Sequence, residues 1–354
     1  MNSKAVRDPS DHAAQRAYFA ALPKVELHRH FEGALRLSSL VEIARTYRLD
    51  VPAYSAEGLR PHVQMTPDSP RTPQHFLAKF AVLRQFYRDP ETIQRLVREV
   101  IEDAAADNIR HLELRFTPKA LAQSSRLSFR DVIACLCEGA AQAQRALPIS
   151  VRLIVSLNRH ESVQEGAQAV YAALDFMDRG IVALDLGGQE AGFSAEPFRG
   201  LFAEARQAGL QVIAHAGEWA GAQSVRYAIE QLGAVRIGHG VRILEDASAV
   251  ALARERQVVF EICPSSNVYS GICGSLAEHP LPQLYAHGLR LTLNTDDPLL
   301  CAIALSDELY AAFTQLQCSL AALRQMALTA AQAAFLPPAE RAALAAQIAV
   351  AYDG

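Results

Sequence analysis

The chain has 354 residues, half of them hydrophobic, with 20% charged residues and a formal net charge of -4. That length allows a substantial core, and the lack of a basic excess excludes a field able to hold a nucleic-acid backbone. The six cysteines show no CxxC spacing and are read as reduced thiols in a cytoplasmic protein. The opening MNSKAVRDPSDHAAQRAYFA lacks the apolar core of an export signal, and no window approaches the ~18 consecutive apolar residues of a membrane span.

The first β-rich run is KVELHRH (24–30), ending in two histidines two positions apart. Strand side chains alternate faces, so His28 and His30 point the same way. That pair suits two hydrogen-bonded rim histidines as well as two metal ligands, and the rest of the chain must decide. Residues 31–109 exceed what one helix needs: VPAYSAEGLRPHVQMTPDSPRTPQ is rich in turn formers, and HFLAKFAVLRQFYRD (75–89) predicts an amphipathic helix. Seven further strands are predicted at 110–116, 149–157, 181–186, 210–215, 235–240, 257–262 and 289–294. Helical segments such as EPFRGLFAEARQAG and EDASAVALARERQ separate them.

Eight strand–helix alternations predict an α/β fold, a (β/α)8 TIM barrel with a helical insertion after the first strand. An open doubly wound sheet is disfavoured by that count and by the absence of GxGxxG after the first strand. The chain, 1–354, is expected to be a single barrel domain, with 36–109 lying over the carboxyl-end face as lid helices.

The polar residues fall at matching strand ends. His28 and His30 end the first strand and Asp185, followed by GGQE, the fourth. His215 with AGE ends the fifth, His239 the sixth, and Asp296 and Asp297 follow the eighth. A barrel gathers these ends on one rim, which favours the metal reading of the opening pair. His28, His30, His215 and Asp296 form a nitrogen and oxygen set suited to one zinc ion per chain, which lowers the pKa of its water from ~15.7 to about 7. Glu218, three residues after His215, is the candidate proton carrier, with a helix-dipole carboxylate as the plainer alternative. His239 would orient the nucleophile.

The ordered series LPKVELHRHFEGALR, FLAKF, DLGGQE, HAGE, RIGHG, CPSSNVYSG and LNTDDP, running into the AAFLPPAE tail, resembles the adenosine deaminase family over nearly the whole chain. The resemblance implies that Glu218 protonates N1 of the purine, His239 positions the hydroxide and Asp296 joins the zinc ligands. It also implies that Asp297 contacts N7 and the backbone of Gly188 meets N3. Phe76, Leu77 and Phe80 would form an apolar wall over the base, while His30 and Glu32 would face the bound nucleoside, Glu32 at its sugar end. The implied partner is a small-molecule purine, with neither nucleic acid nor membrane.

Two positions depart from the family pattern. Glu32 stands where adenosine-specific members carry Asp, as in members acting on adenine or 6-aminodeoxyfutalosine, and Gln189 replaces an acidic residue. FLAKF and SNVYSG favour adenosine or 2'-deoxyadenosine as substrate, with adenine and 6-aminodeoxyfutalosine as alternatives. A two-metal ester or amide hydrolase would need a bridging lysine, and Lys119 is the last lysine in the chain. A non-catalytic purine-binding barrel is disfavoured because every ligand and proton-transfer position is present.

Overall fold

Short runs of β-branched and large apolar residues form eight parallel strands: β1 Lys24–His30, β2 Ile109–Phe116, β3 Ser150–Asn158, β4 Ile181–Gly187, β5 Gln211–Ala216, β6 Arg236–His239, β7 Val259–Ile262 and β8 Arg290–Leu293. Their order in the sheet is their order in the chain. The protein is seen as a computed structural model describing residues 11–353. Residues 1–10, half of the opening stretch that lacks an export signal, and residue 354 lie outside the described residues.

The barrel closes through a short seam between β8 and β1. A parallel bridge pairs Arg29 with Asp296; the Asp296 amide donates to the His28 carbonyl at 3.0 Å, and the His30 amide to the Asp296 carbonyl at 2.8 Å. The Asn294 side chain accepts from the Leu27 amide at 2.9 Å, replacing a ladder bond. The strands start and end within two residues of their predicted positions. β6 and β8 are one residue shorter at each end, with Gly240 at φ 66° just past β6, and β7 starts two residues late, after Gln257 at φ 54°.

α1 (His12–Ala21) precedes the barrel, and four helices fill the gap between β1 and β2: α2 Leu37–Tyr47, α3 Ala56–Val63, α4 Pro73–Leu83 and α5 Pro90–Ala106. The helix predicted over 75–89 is shorter than expected. It starts where Thr72 Oγ1 accepts from the His75 amide at 3.2 Å with Pro73 in the first turn, and it gives way to a single 3₁₀ turn, Arg84–Phe86. Asp89 is extended because Pro90 follows it, and it caps α5 by accepting from the Thr92 amide at 2.8 Å. Among the described residues no helix is long and apolar enough to cross a membrane.

The barrel interior is not wholly apolar. Arg236 on β6 pairs with Glu113 at 2.5 Å and with Glu261 at 2.7 Å, all three buried. Its guanidinium carbon lies 3.8 Å from the Phe335 ring centroid, and Nη1 donates to the Ala333 carbonyl at 3.0 Å, so the carboxyl-terminal segment closes the amino-terminal mouth of the barrel. Removing one member of a buried ion network strands the others. Arg236→Leu is expected to cost about 3–5 kcal/mol, measured as a fall in the urea midpoint at unchanged m-value.

Candidate metal centre and active site

Three imidazoles and one carboxylate meet at the rim. His28 and His30 project from the same face of β1, His215 comes from β5, and Asp296 lies just past β8; one donor atom from each falls within 4.8 Å of the others. His28 Nε2 is 3.1 Å and His30 Nε2 3.2 Å from Asp296 Oδ1, and the Nε2 atoms of His30 and His215 are 3.2 Å apart. Gly238 makes room for this cluster, since a Cβ there would sit 2.9 Å from His28 Cε1.

The imidazoles are oriented from behind. His28 Nδ1 lies 2.8 Å from Glu261 and His215 Nδ1 3.0 Å from Asp185. A carboxylate partner requires Nδ1 to carry the proton, so each Nε2 presents a lone pair to the common centre. Arg115 links the two supports, at 2.7 Å from Glu261 and 3.2 Å from Asp185, and Ser156 Oγ donates to Asp185 at 2.9 Å. Sequence reading singled out Asp185 but missed Arg115 and Glu261. Their signal was charge within a β-rich run, Arg115 two residues after Glu113 in RHLELRF and Glu261 in QVVFEI.

Two imidazole nitrogens 3.2 Å apart beside a carboxylate need a proton or a cation between them, and nitrogen with oxygen donors is the set that zinc prefers. The surroundings agree. Burial alone would lower the pKa of His30, yet the Asp296 hydrogen bond and the charges of Asp297 and Asp296 push it up to about 9, so this position favours a positive charge, which a bound cation would supply in place of the His30 proton. Burial takes His215 down to about 4 despite Asp185, leaving it neutral as a ligand must be.

Glu218 and His239 stand beside this group. Glu218 is buried, and burial together with the charges of Asp296, Glu190 and Asp297 raises its carboxyl well above the usual range. The helix after it begins only at Ala222, so the helix-dipole alternative does not describe its position. His239 Nε2 lies 3.8 Å from both Glu218 and Asp296, and its backbone takes φ 62°. Its other nitrogen ends a chain that sequence reading did not anticipate. The Leu281 amide donates to His279 Nδ1 at 3.1 Å, His279 Nε2 donates to Asn267 Oδ1 at 3.1 Å, and Asn267 Nδ2 donates to His239 Nδ1 at 3.1 Å. Because the first donor is a backbone N–H, every later direction is fixed, and His239 presents an Nε2–H to the site.

Glu190, also unanticipated, anchors the turn that carries Glu218. Its carboxylate accepts from four consecutive amides, Gly217 at 2.7 Å, Glu218 at 2.9 Å, Trp219 at 2.7 Å and Ala220 at 2.9 Å. In DLGGQE the acidic residue that matters for this turn is the last one.

A cavity of about 310 Å³ opens onto the cluster. Its size suits a small molecule and is too small for a polymer. Phe76, Leu77 and Phe80 of α4 line one side, and Gly188, Asp297 and Glu32 contribute to its wall. Gly188 takes φ 79°, which brings the backbone against His160 where a Cβ would sit 2.7 Å from Nδ1. One Glu32 oxygen accepts from the Thr117 amide at 2.7 Å; the other is buried without a partner. His28 and Asp185 lie behind the lining, and the other site residues expected from sequence line the cavity.

Comparison with known proteins agrees with this architecture. The adenosine deaminase family model matches residues 23–351. An adenosine deaminase of Klebsiella pneumoniae is 36% identical over 330 residues, 93% of this chain and 98% of that one. The crystal structure of adenine deaminase from Arthrobacter aurescens superposes with a TM-score of 0.87 at 28% identity, covering 94% of this chain and 100% of that one. An amidohydrolase from Burkholderia ambifaria, solved with bound Zn, gives 0.84 at 28% identity, covering 96% and 92%.

Glu190→Ala removes the shared acceptor of four amides. It is expected to lower stability by at least about 2 kcal/mol and to speed hydrogen exchange at residues 217–220 selectively, read by exchange mass spectrometry.

Proposed function

The chain belongs to the adenosine deaminase family, hydrolases that act on C–N bonds of cyclic amidines and are metal-dependent, and from that premise we propose that it converts adenosine or 2'-deoxyadenosine to inosine or 2'-deoxyinosine and ammonia, using one zinc ion per chain. The observation that carries this reading is the convergence of His28, His30, His215 and Asp296 beside a buried Glu218, whose carboxyl burial raises well above its usual range, on the floor of a small cavity.

In this reading the three imidazoles and Asp296 hold the ion. When bound there, zinc supplies an activated water at neutral pH. Glu218, its carboxyl raised by burial and neighbouring charges, is the group that donates a proton to N1 of the purine, making C6 more electrophilic as water adds and the amino group leaves as ammonia. The His239 Nε2–H holds the attacking oxygen in place, and Ser266, donating to Asp296 Oδ2 at 2.6 Å, steadies the carboxylate. Asp297 lies at N7 and the Gly188 backbone at N3, while Phe76, Leu77 and Phe80 cover the base. The 36–109 segment acts as the lid of a single barrel domain, with α4 as its part nearest the substrate.

The test is ammonia release together with loss of the adenine absorbance band, with and without a chelator. Glu218→Gln should keep its zinc and lose about 10²-fold or more in kcat. Full activity in metal-free protein, or a Glu218→Gln variant that no longer binds zinc, would overturn the assignment.

Glu32 is the residue proposed to read the sugar. Its one unpartnered buried oxygen needs a donor, which a ribose hydroxyl supplies and free adenine does not. Glu32→Asp, which withdraws that oxygen by one methylene, should lower kcat/KM for adenosine relative to adenine, and an unchanged ratio would move the specificity to the lid.

A further inference from the structure

The cavity has two chemically different ends. The proposed metal donors come from β1, β5 and the residue past β8, and Glu218 and His239 sit past or at the ends of β5 and β6. Thr117, Asn158 and His160 lie at or just past the ends of β2 and β3, on the far side of the ring from β6 and β7. Arg84 is brought over them by the 3₁₀ turn after α4 and lines the same cavity. If C6 of the purine reacts at the donor end, the substituent on the base extends toward Arg84.

We propose that this outer end is an anion subsite built on Arg84 with His160 beside it, and that the adenine compound turned over most efficiently carries a phosphate or carboxylate on its sugar side. The proposal rests on the reading of the donor end given above.

Three observations support it. Arg84 is half-buried with its Nε enclosed and unpartnered, and no carboxylate of the described residues pairs with its guanidinium, whereas Arg115 and Arg236, which lie deeper, are each held by carboxylates. The nearby Glu32 does not satisfy it, since one Glu32 oxygen is taken by the Thr117 amide and no ion pair joins the two side chains. The other cations in this region are already engaged, Lys119 by Glu165 at 2.8 Å and Arg159 by the carbonyls of His215 and Leu186. A guanidinium presents a planar donor array matched to the paired oxygens of a carboxylate or phosphate, which a neutral hydroxyl cannot fill. His160 adds to this. Its Nδ1 accepts from the Gln189 amide at 3.2 Å, so the proton of the neutral ring is on Nε2, as a second donor for the anion.

The experiment compares kcat/KM for adenosine, adenosine 5'-monophosphate and adenosine 5'-carboxylate with the full-length zinc-loaded protein. At least one anionic compound is expected to exceed adenosine by about tenfold or more, through KM, which is the scale of a charged hydrogen bond. A gain with phosphate alone identifies a nucleotide, and a gain with carboxylate alone identifies an acid; either supports the subsite. Arg84→Gln should bring the anion-to-adenosine ratio toward one and Arg84→Lys should keep part of it, with thermal unfolding confirming that both variants fold. Adenosine equalling or exceeding both anions, or a ratio that survives Arg84→Gln, overturns the subsite while leaving the deaminase reading intact. Release of ammonia from none of the three overturns the deaminase reading itself, and this inference with it.

Discussion

The site depends on one buried guanidinium. Arg115, fully enclosed on β2, sits between Glu261 of β7 and Asp185 of β4 and also donates to the Leu27 carbonyl at 2.8 Å. Each carboxylate then grips one imidazole, His28 or His215, so a single cation sets the direction of two donors on opposite sides of the barrel. A buried charge is tolerated only when its partners are complete, and here completion and orientation are the same contacts. Charge in the interior therefore serves geometry, while the Val, Leu and Ile side chains packed between strands and helices supply the apolar core.

Barrel closure and the donor cluster share a residue as well. The Asp296 peptide makes the hydrogen bonds of the β8–β1 seam, while its side chain reaches the imidazoles. Doing both forces its backbone to φ 65°, and His239 is similarly placed at φ 62°. Such conformations cost on the order of 1–3 kcal/mol for a residue with a side chain and persist only where the surroundings impose them. At Asp296 the seam on one side and Ser266 on the other impose it.

The strands and rim residues were legible because their signals are local: short apolar runs, turn residues at their ends, and polar side chains at the strand ends. The barrel rule turned those separate ends into one site. The supports were harder to read because their meaning is non-local. Arg115 meets Asp185 seventy residues away and Glu261 146 residues away, and nothing within RHLELRF says which carboxylates it will find. Glu190 is hidden for another reason: the departure from the family's acidic position lies at Gln189, one residue earlier, and the four amides that Glu190 holds come from another strand end. The helix over 75–89 was drawn too long because its apolar periodicity continues through Arg84–Phe86, whereas the extended residues before Pro90 stop it.

The chain of donors from Leu281 through His279 and Asn267 divides the work proposed for Glu218 and His239. Burial keeps both histidines of that chain neutral, and the backbone N–H at its start leaves His239 only one tautomer. With Nδ1 already accepting from Asn267, the ring has no free lone pair with which to remove a proton from the nucleophile, but its Nε2–H can hold an oxygen in line for attack. Glu218 is different in kind, a carboxyl raised by burial and neighbouring carboxylates on a turn fixed by Glu190. Proton movement therefore falls to Glu218, and alignment to His239. The arrangement of two buried titratable groups 3.8 Å apart keeps the roles distinct, because each is fixed by a different hydrogen-bond network on a different strand end.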